Sequence, residues 1–248
     1  MTTGVIGNEG FRWFLGVVED REDPLKLGRI RVRIYNVHSE KKSLVKTEEL
    51  PWANVLNVIN SSSLNKIGLS PTGIQVGSTV VGFFMDGNDG NNPIVMGTLV
   101  GIPQNNQTLH DVALEARGTN AVEKTKRGSG RVMEPDSAYG AKYPYNKVIR
   151  TERGHVIEVD DTPDKERIHI YHKSGTYSET NNVGRKVDKV VDDHFEIIVK
   201  NENVWIGGNV KVHVLGNVDM MVEGTYRVES KGRMTFKAPR IDLNPERE

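Results

Sequence analysis

The chain has no cysteine in its 248 residues, so neither a disulfide framework nor a thiolate metal site can hold it together. Aromatic residues make up only 6% of it and hydrophobic residues 36%, a composition better suited to slender elements than to one large globular core. A charge of one sign is missing as well. The 33 basic residues balance 33 acidic ones, which argues against a general polyanion binder. No apolar run approaches the roughly 20 residues of a membrane span, and the opening MTTGVIGNEG carries no signal-peptide pattern. A soluble product made in a cytoplasm is the expectation. Enzyme signatures are missing too: there is no Gly-x-Ser-x-Gly elbow, no His-Glu-x-x-His helix and no dinucleotide fingerprint.

What the chain does have is glycine at a fixed interval. In IGGNVKVHVLGNVDMMVEGTYRVESKGRMTFKAP, residues 206–239, glycine returns every eight residues at Gly208, Gly216, Gly224 and Gly232. Between these glycines the residues alternate. Val210, Val212, Val214, Val218, Met220, Val222, Tyr226, Val228, Met234, Phe236 and Ala238 share one parity, and Lys211, His213, Asp219, Glu223, Arg227, Glu229, Lys231, Thr235 and Lys237 hold the other. Extended chain places successive side chains on opposite faces, so one face is dry and one is wet. Glycine tolerates sharp bends, which makes the repeating unit one short strand plus one corner. Such a unit cannot bury its dry face alone; units must stack, and a narrow stack needs other copies of the chain to close its core.

The N-terminal part reads differently. FRWFLGVVED, GRIRVRIYNV, PWANVLNVI, STVVGFFMDG and NPIVMGTLVG are β-branched or aromatic runs separated by Gly, Pro, Asn and Asp. Five such strands over residues 11–101 fit a small barrel of the OB type. Within GRIRVRIYNV, Ile30, Val32 and Ile34 are expected to face the barrel while Arg29, Arg31 and Arg33 face out as a solvated strand face. A nucleic-acid groove would want aromatics interleaved with that basic stripe, and only Tyr35 lies close by.

Residues 102–140 are polar and read as a linker, with a possible helical turn at Leu109 to Ala116. Their cluster KTKRGSGR lacks the glycine spacing and the following helix of a phosphate-binding loop. In the next segment, 141–182, the alternating runs HVIEVD and RIHIYH are joined by DTPDKE, a strong turn signal. This segment also collects His155, Glu158, Asp160, Asp161, His169 and His172, which looks like a metal or acid/base site. Strand geometry argues against it: His169 and His172 are three apart and point to opposite faces, as do His155 and Glu158. The aspartates flank a proline turn, where Asp is favoured for local backbone hydrogen bonds. His213, on the wet face, reads as solvated. No catalytic, cofactor or metal site is expected.

Taken together, these motifs resemble a known family. RWFLGVVEDREDPLKLGRIRVRIYNVH, LPWANV, SPTGIQVGSTVVGFFMDG and NPIVMGTL resemble the OB domain of the central spike proteins of contractile-tailed phage baseplates. YGAKYPYNKVIRTERGHVIEVDDTPDKERIHIYHKSGT looks like the shaft-entry segment that those spikes share with the valine-glycine repeat spikes of type VI secretion, and the glycine ladder is similar to their V-x-G octapeptide repeat. The resemblance implies an all-β chain in five parts: an N-terminal tail at 1–10, an OB-fold barrel at 11–101, an extended linker at 102–140, a shaft-entry segment at 141–182 and an intertwined homotrimeric β-helix, or β-prism, at 183–248. It places Gly208, Gly216, Gly224 and Gly232 at the corners of the prism. The dry parity from Val210 to Phe236 becomes its axial core.

The implied role is mechanical, that of a membrane-puncturing spike driven into the host outer membrane on sheath contraction. Its partners would be two further copies of itself, hub or tail-tube proteins at the OB domain and a separate tip protein beyond APRIDLNPERE; no cofactor and no nucleic acid are expected. Two features of some members are absent from this sequence, a lysozyme domain between barrel and shaft and a C-terminal His-x-His pair. Three further readings compete with this one: a secretion or tailocin-like spike, a carbohydrate- or nucleic-acid-binding OB module on a stalk, and a degenerate lysozyme.

Overall fold

A computed structural model of the chain describes residues 12–65, 67–101 and 135–242. The tail at 1–10, the turn at Leu109 to Ala116, the KTKRGSGR cluster and the last six residues lie outside the described residues.

The first strands close into a barrel. They are β1 (Trp13–Asp20), β2 (Ile30–Ile34), β3 (Trp52–Val55), β4 (Thr79–Phe84) and β5 (Pro93–Leu99), joined in the order β1-β2-β3-β5-β4 with β4 returning to β1. All pairings are antiparallel except β3 with β5, and the five-stranded closed sheet is the OB architecture expected from the strand count. The alternation seen in the sequence sets the core. Ile30, Val32 and Ile34 are buried as expected, with Phe14, Val18, Ala53, Val80, Phe84 and Val95. Full burial of each large member of this set contributes about 1.5–3 kcal/mol, and the Phe14 and Phe84 rings pack at 5.0 Å between centroids.

Closure needs glycine where β1 and β4 approach their neighbours. A Cβ on Gly16 would lie 2.7 Å from the Arg33 carbonyl oxygen, and one on Gly82 would lie 2.1 Å from that of Ile94 and 2.5 Å from Phe14 Cζ. Both obstacles include backbone, which cannot step aside.

The three arginines depart from expectation. They do not form a solvated face, because each is tied to an acidic partner across the surface. Arg33, only 7% exposed, donates to both Glu19 oxygens at 2.8 and 2.9 Å and to the Ser39 and Val45 carbonyls. Arg29 clamps Asp23, whose carboxylate also accepts the Leu25 and Leu27 amides. Arg31 stacks over Trp52 at 4.5 Å and donates to the Thr47 carbonyl. The alternation of side chains holds, but the outward charges brace the connections flanking β2 rather than meeting water. The Arg33 guanidinium beside Glu19 lowers that carboxyl to about 2, against a smaller opposing effect of burial.

Residues 146–189 form a second sheet, an antiparallel meander of β6 (Asn146–Arg150), β7 (Val156–Asp160), β8 (Arg167–Tyr171), β9 (Tyr177–Asn181) and β10 (Lys186–Lys189). The expected turn at DTPDKE joins β7 to β8. Lys165 N donates to Thr162 O at 2.9 Å, and Asp164 takes φ 64° behind Pro163, the geometry of a type II turn. The other three connections repeat one device. TERG, HKSG and NNVG each close with a glycine at positive φ, Gly154, Gly175 and Gly184, whose amide donates to the carbonyl three residues back. Strand β10 lies beyond residue 182, where the sequence placed the end of the shaft-entry segment, and pairs with β9 throughout.

The chain divides into two compact units, residues 1–193 and 194–248. In the second, residues 194–242 form no strand and no helix. Bends fall at 199–200, 207–208, 215–216, 223–224 and 231–232, and the first unit holds one more at 191–192. The eight-residue interval therefore begins two units before Gly208, with Asp192 and Lys200 in the glycine positions.

Gly82→Ala is expected to destabilise the barrel by about 1–3 kcal/mol, the usual cost of overpacking a closed core, read as a lower midpoint in thermal unfolding. An unchanged midpoint would mean that β4 and β5 are not held at this separation.

Candidate assembly surfaces

The two faces of the meander reverse the usual arrangement of inside and outside. Ile149, Ile157, Val159, Ile168 and Ile170 are exposed, by 40–67%. On the opposite face Glu158, Asp160, Arg167, His169 and Glu179 are no more than 4% exposed. Buried charges are costly unless each is paired and hydrogen-bonded, and Glu158, Arg167 and Glu179 meet that condition. Arg167 bridges Glu158 and Glu179, the latter at 2.8 Å. Asn146 Nδ2 donates to Glu158 at 3.0 Å.

The segment before the sheet supplies the cover. Ser137 Oγ and the Ala138 amide donate to the two Glu179 oxygens at 2.7 and 3.1 Å, the Tyr139 ring lies 5.0 Å from the Arg167 guanidinium carbon, and the Lys142 amide donates to Thr162. The last residues of the expected linker thus form a strap on the polar face.

His169 Nδ1 lies 3.3 Å from Glu179 Oε2 but off the line of a hydrogen bond, and its ring lies against those of Tyr171 and Tyr177. Burial alone would raise the Glu179 carboxyl, yet His169, Ser137, Arg167 and the Ala138 amide together hold it well below the ordinary carboxylate range.

Of the histidines and acids that resembled a site, Glu158 and His169 meet inside this ionic cluster, while Asp160, buried on the same face, accepts the Thr162 amide. Asp161 instead pairs with Lys147 at the surface. His155 and His172, flanking paired strands, meet as tilted rings with centroids 4.5 Å apart. Among the described residues no group of three or more His, Cys, Asp or Glu is placed to hold a metal ion, and no helix is long and apolar enough to cross a membrane.

The glycine ladder presents the other surface. Every residue of the expected axial core is exposed in the single chain: Val210, Val212, Val214, Val218, Met220, Val222, Tyr226, Val228, Met234 and Phe236 range from 43% to 79%. Among the described residues no backbone hydrogen bond joins residues 194–242 to one another or to the rest of the chain. Gly208, Gly216, Gly224 and Gly232 sit at the bends with open space where a Cβ would go. His213 and the charged parity are exposed as well.

A closed OB barrel followed by an antiparallel sheet and an octad ladder defines a class, and comparison with known proteins gives it a name. The model of the Gp5 N-terminal OB domain matches residues 35–193, more than half of the chain, and the chain belongs to that family. The chain is similar to protein Gp5 of Vibrio phage KVP40, 34% identical over 275 aligned positions that cover 86% of this chain and 65% of the relative. It is also similar to the pre-baseplate central spike protein Gp5 of Enterobacteria phage T4, 44% identical over 100 positions that cover 38% of this chain and 17% of the relative. The chain spans less than two thirds of the length of these relatives.

Glu179→Gln is expected to destabilise the second sheet by about 1–3 kcal/mol, because it brings an amide NH2 to a buried site where Ser137 Oγ, the Ala138 amide and Arg167 all donate and leaves a donor without an acceptor. Since Glu179 is lowered in the folded chain, its contribution is present above its ordinary value of 4.5 and is lost as pH falls below that. Denaturant unfolding at neutral pH and near pH 3 checks both. A wild-type chain equally stable at the two pH values would contradict the cluster's role.

Proposed function

We propose that the chain forms the homotrimeric central spike of a phage tail baseplate, a structural part of the virion that pierces the host envelope when the sheath contracts, and that it acts without catalysis or cofactor. The observation that carries this reading is the eight-residue bend interval, with one apolar parity left in solvent by the single chain. The name of the T4 relative, a pre-baseplate central spike protein, points the same way.

In this reading three chains wind so that the dry parity meets on a common axis and Gly208, Gly216, Gly224 and Gly232 turn the corners. Backbone groups with no partner in one chain pair between chains, and a long intermolecular ladder resists axial load because it can open only by breaking many bonds together. The residues divide accordingly into an N-terminal tail, OB barrel, linker, shaft-entry sheet and spike. The barrel is the surface for hub or tail-tube proteins, and a separate protein caps the C-terminal end. Contact with the host outer membrane is transient, and nucleic acid is not a partner. The OB arginines support that last point, since each guanidinium already serves an acidic partner.

Sedimentation velocity of the purified full chain tests the reading. The expected result is an elongated species of three chains, and Val212→Asp, which would place three carboxylates on a dry axis, should abolish it. A compact monomer would overturn the trimer, and a stable Val212→Asp trimer would mean that the other parity faces the axis.

A further inference from the structure

Strand parity separates His169 from His172 and His155 from Glu158, and the same parity joins His155 to His172. His155 has the parity of Ile157 and Val159, and His172 that of Ile168 and Ile170, so both imidazoles stand on one face of the second sheet. They sit just beyond Val156 and Tyr171, the terminal pair of β7 with β8. Their ring centroids are 4.5 Å apart and the ring planes are inclined by 49°. Two imidazoles bound side by side to one ion, each through a nitrogen about 2.0–2.1 Å from it, have centroids about 4.5–5 Å apart. The pair is spaced as a chelate is spaced.

We propose that His155 and His172 bind one divalent transition-metal ion of the zinc class, which staples the open ends of β7 and β8. The donor set decides the class. Imidazole suits zinc, nickel and copper, whereas calcium and magnesium take oxygen ligands. Among the described residues no carboxylate joins this pair in a group of three, and Glu152, in the turn before His155, is already held by Arg21 and Gln75. Water fills the remaining positions of the shell, so the ion braces the fold and performs no reaction. The site needs one chain only and does not rest on the homotrimer reading.

The surroundings prepare His172 for this role. Its Nδ1 lies 2.8 Å from Ser174 Oγ, and that hydroxyl donates onward to Thr176 Oγ1 at 3.4 Å, where the Val191 amide also donates. A hydroxyl whose hydrogen is spent on Thr176 accepts from the ring, which puts the His172 proton on Nδ1 and the lone pair on Nε2. The Ser174 amide reaches the same nitrogen at 3.2 Å, the longer contact. A metal-bound histidine is commonly oriented by donating its other N–H to such an oxygen. His155 is placed through its backbone, whose amide donates to Thr151 Oγ1 at 3.1 Å. The turns TERG and HKSG close on these two residues, with Thr151 N donating to His155 O and His172 N to Thr176 O. An ion between the rings ties one turn to the other.

Zinc chloride titrated calorimetrically into the full chain, untagged and stripped with EDTA, tests the assignment. The expected result is saturable uptake of one ion per chain, with a higher thermal-unfolding midpoint in zinc than in EDTA, because a ligand that binds only the folded chain stabilises it. His155→Ala and His172→Ala should each weaken uptake by about tenfold or more, since the loss of an outer-shell partner alone costs that much. Each should keep the wild-type midpoint in EDTA, which separates a lost ligand from a folding defect. His213→Ala, in the ladder, should bind zinc as the wild type does. No saturable uptake, or uptake unchanged in both variants of the pair, overturns the site. A midpoint shift as large with calcium as with zinc overturns the imidazole donor set.

Discussion

An eight-residue strand with a corner at its end has no place within its own chain for its dry side chains or its backbone polar groups. That constraint governs the C-terminal part of this protein. Unpaired backbone groups kept from water are costly, and a ribbon of Val, Met, Tyr and Phe at one parity is no more at ease in solvent. Both demands are met together when strands from several chains pair around a shared axis, and neither can be met by refolding a unit on itself, because each octad is too short to return.

The rest of the molecule is consistent with bringing copies to that axis and keeping them there. The barrel is self-sufficient, with its core closed by Phe14, Ile34, Val80, Phe84 and Val95 and its connections braced by the Glu19–Arg33 and Asp23–Arg29 pairs. The meander is only half sufficient: one face is completed internally by charge pairs and the strap, and the other displays isoleucine and valine. The Thr151–Gly154 turn is held to the barrel by Arg21 and Gln75, which donate to Glu152 at 2.6 Å. Demand for a partner therefore grows along the chain, from a closed barrel through a half-covered sheet to a ribbon with no internal pairing.

Much of this was legible in the sequence. Ile30, Val32 and Ile34 announced an inward face by alternation, and DTPDKE announced a turn. What escaped was set by residues far apart in the chain. Alternation shows that Arg33 points away from the core but not that Glu19 and the Val45 carbonyl wait for it. In the meander it separates Ile157 from Glu158, yet which of them is covered depends on Ser137 and Ala138, some forty residues before Glu179. The bends at 191–192 and 199–200 were missed for a different reason: the ladder was read by its glycines, and here Asp192 and Lys200 occupy their positions.

The central claim is that residues 206–238 are ordered by pairing between chains and by nothing within one chain. Hydrogen exchange of the assembled protein, resolved along this stretch, tests it most directly. Intermolecular pairing predicts amides in 206–238 protected at least as strongly as those of the barrel strands, since they open only when the assembly does. Exchange at the rate of an unstructured chain, in a protein whose barrel amides remain protected, would contradict it.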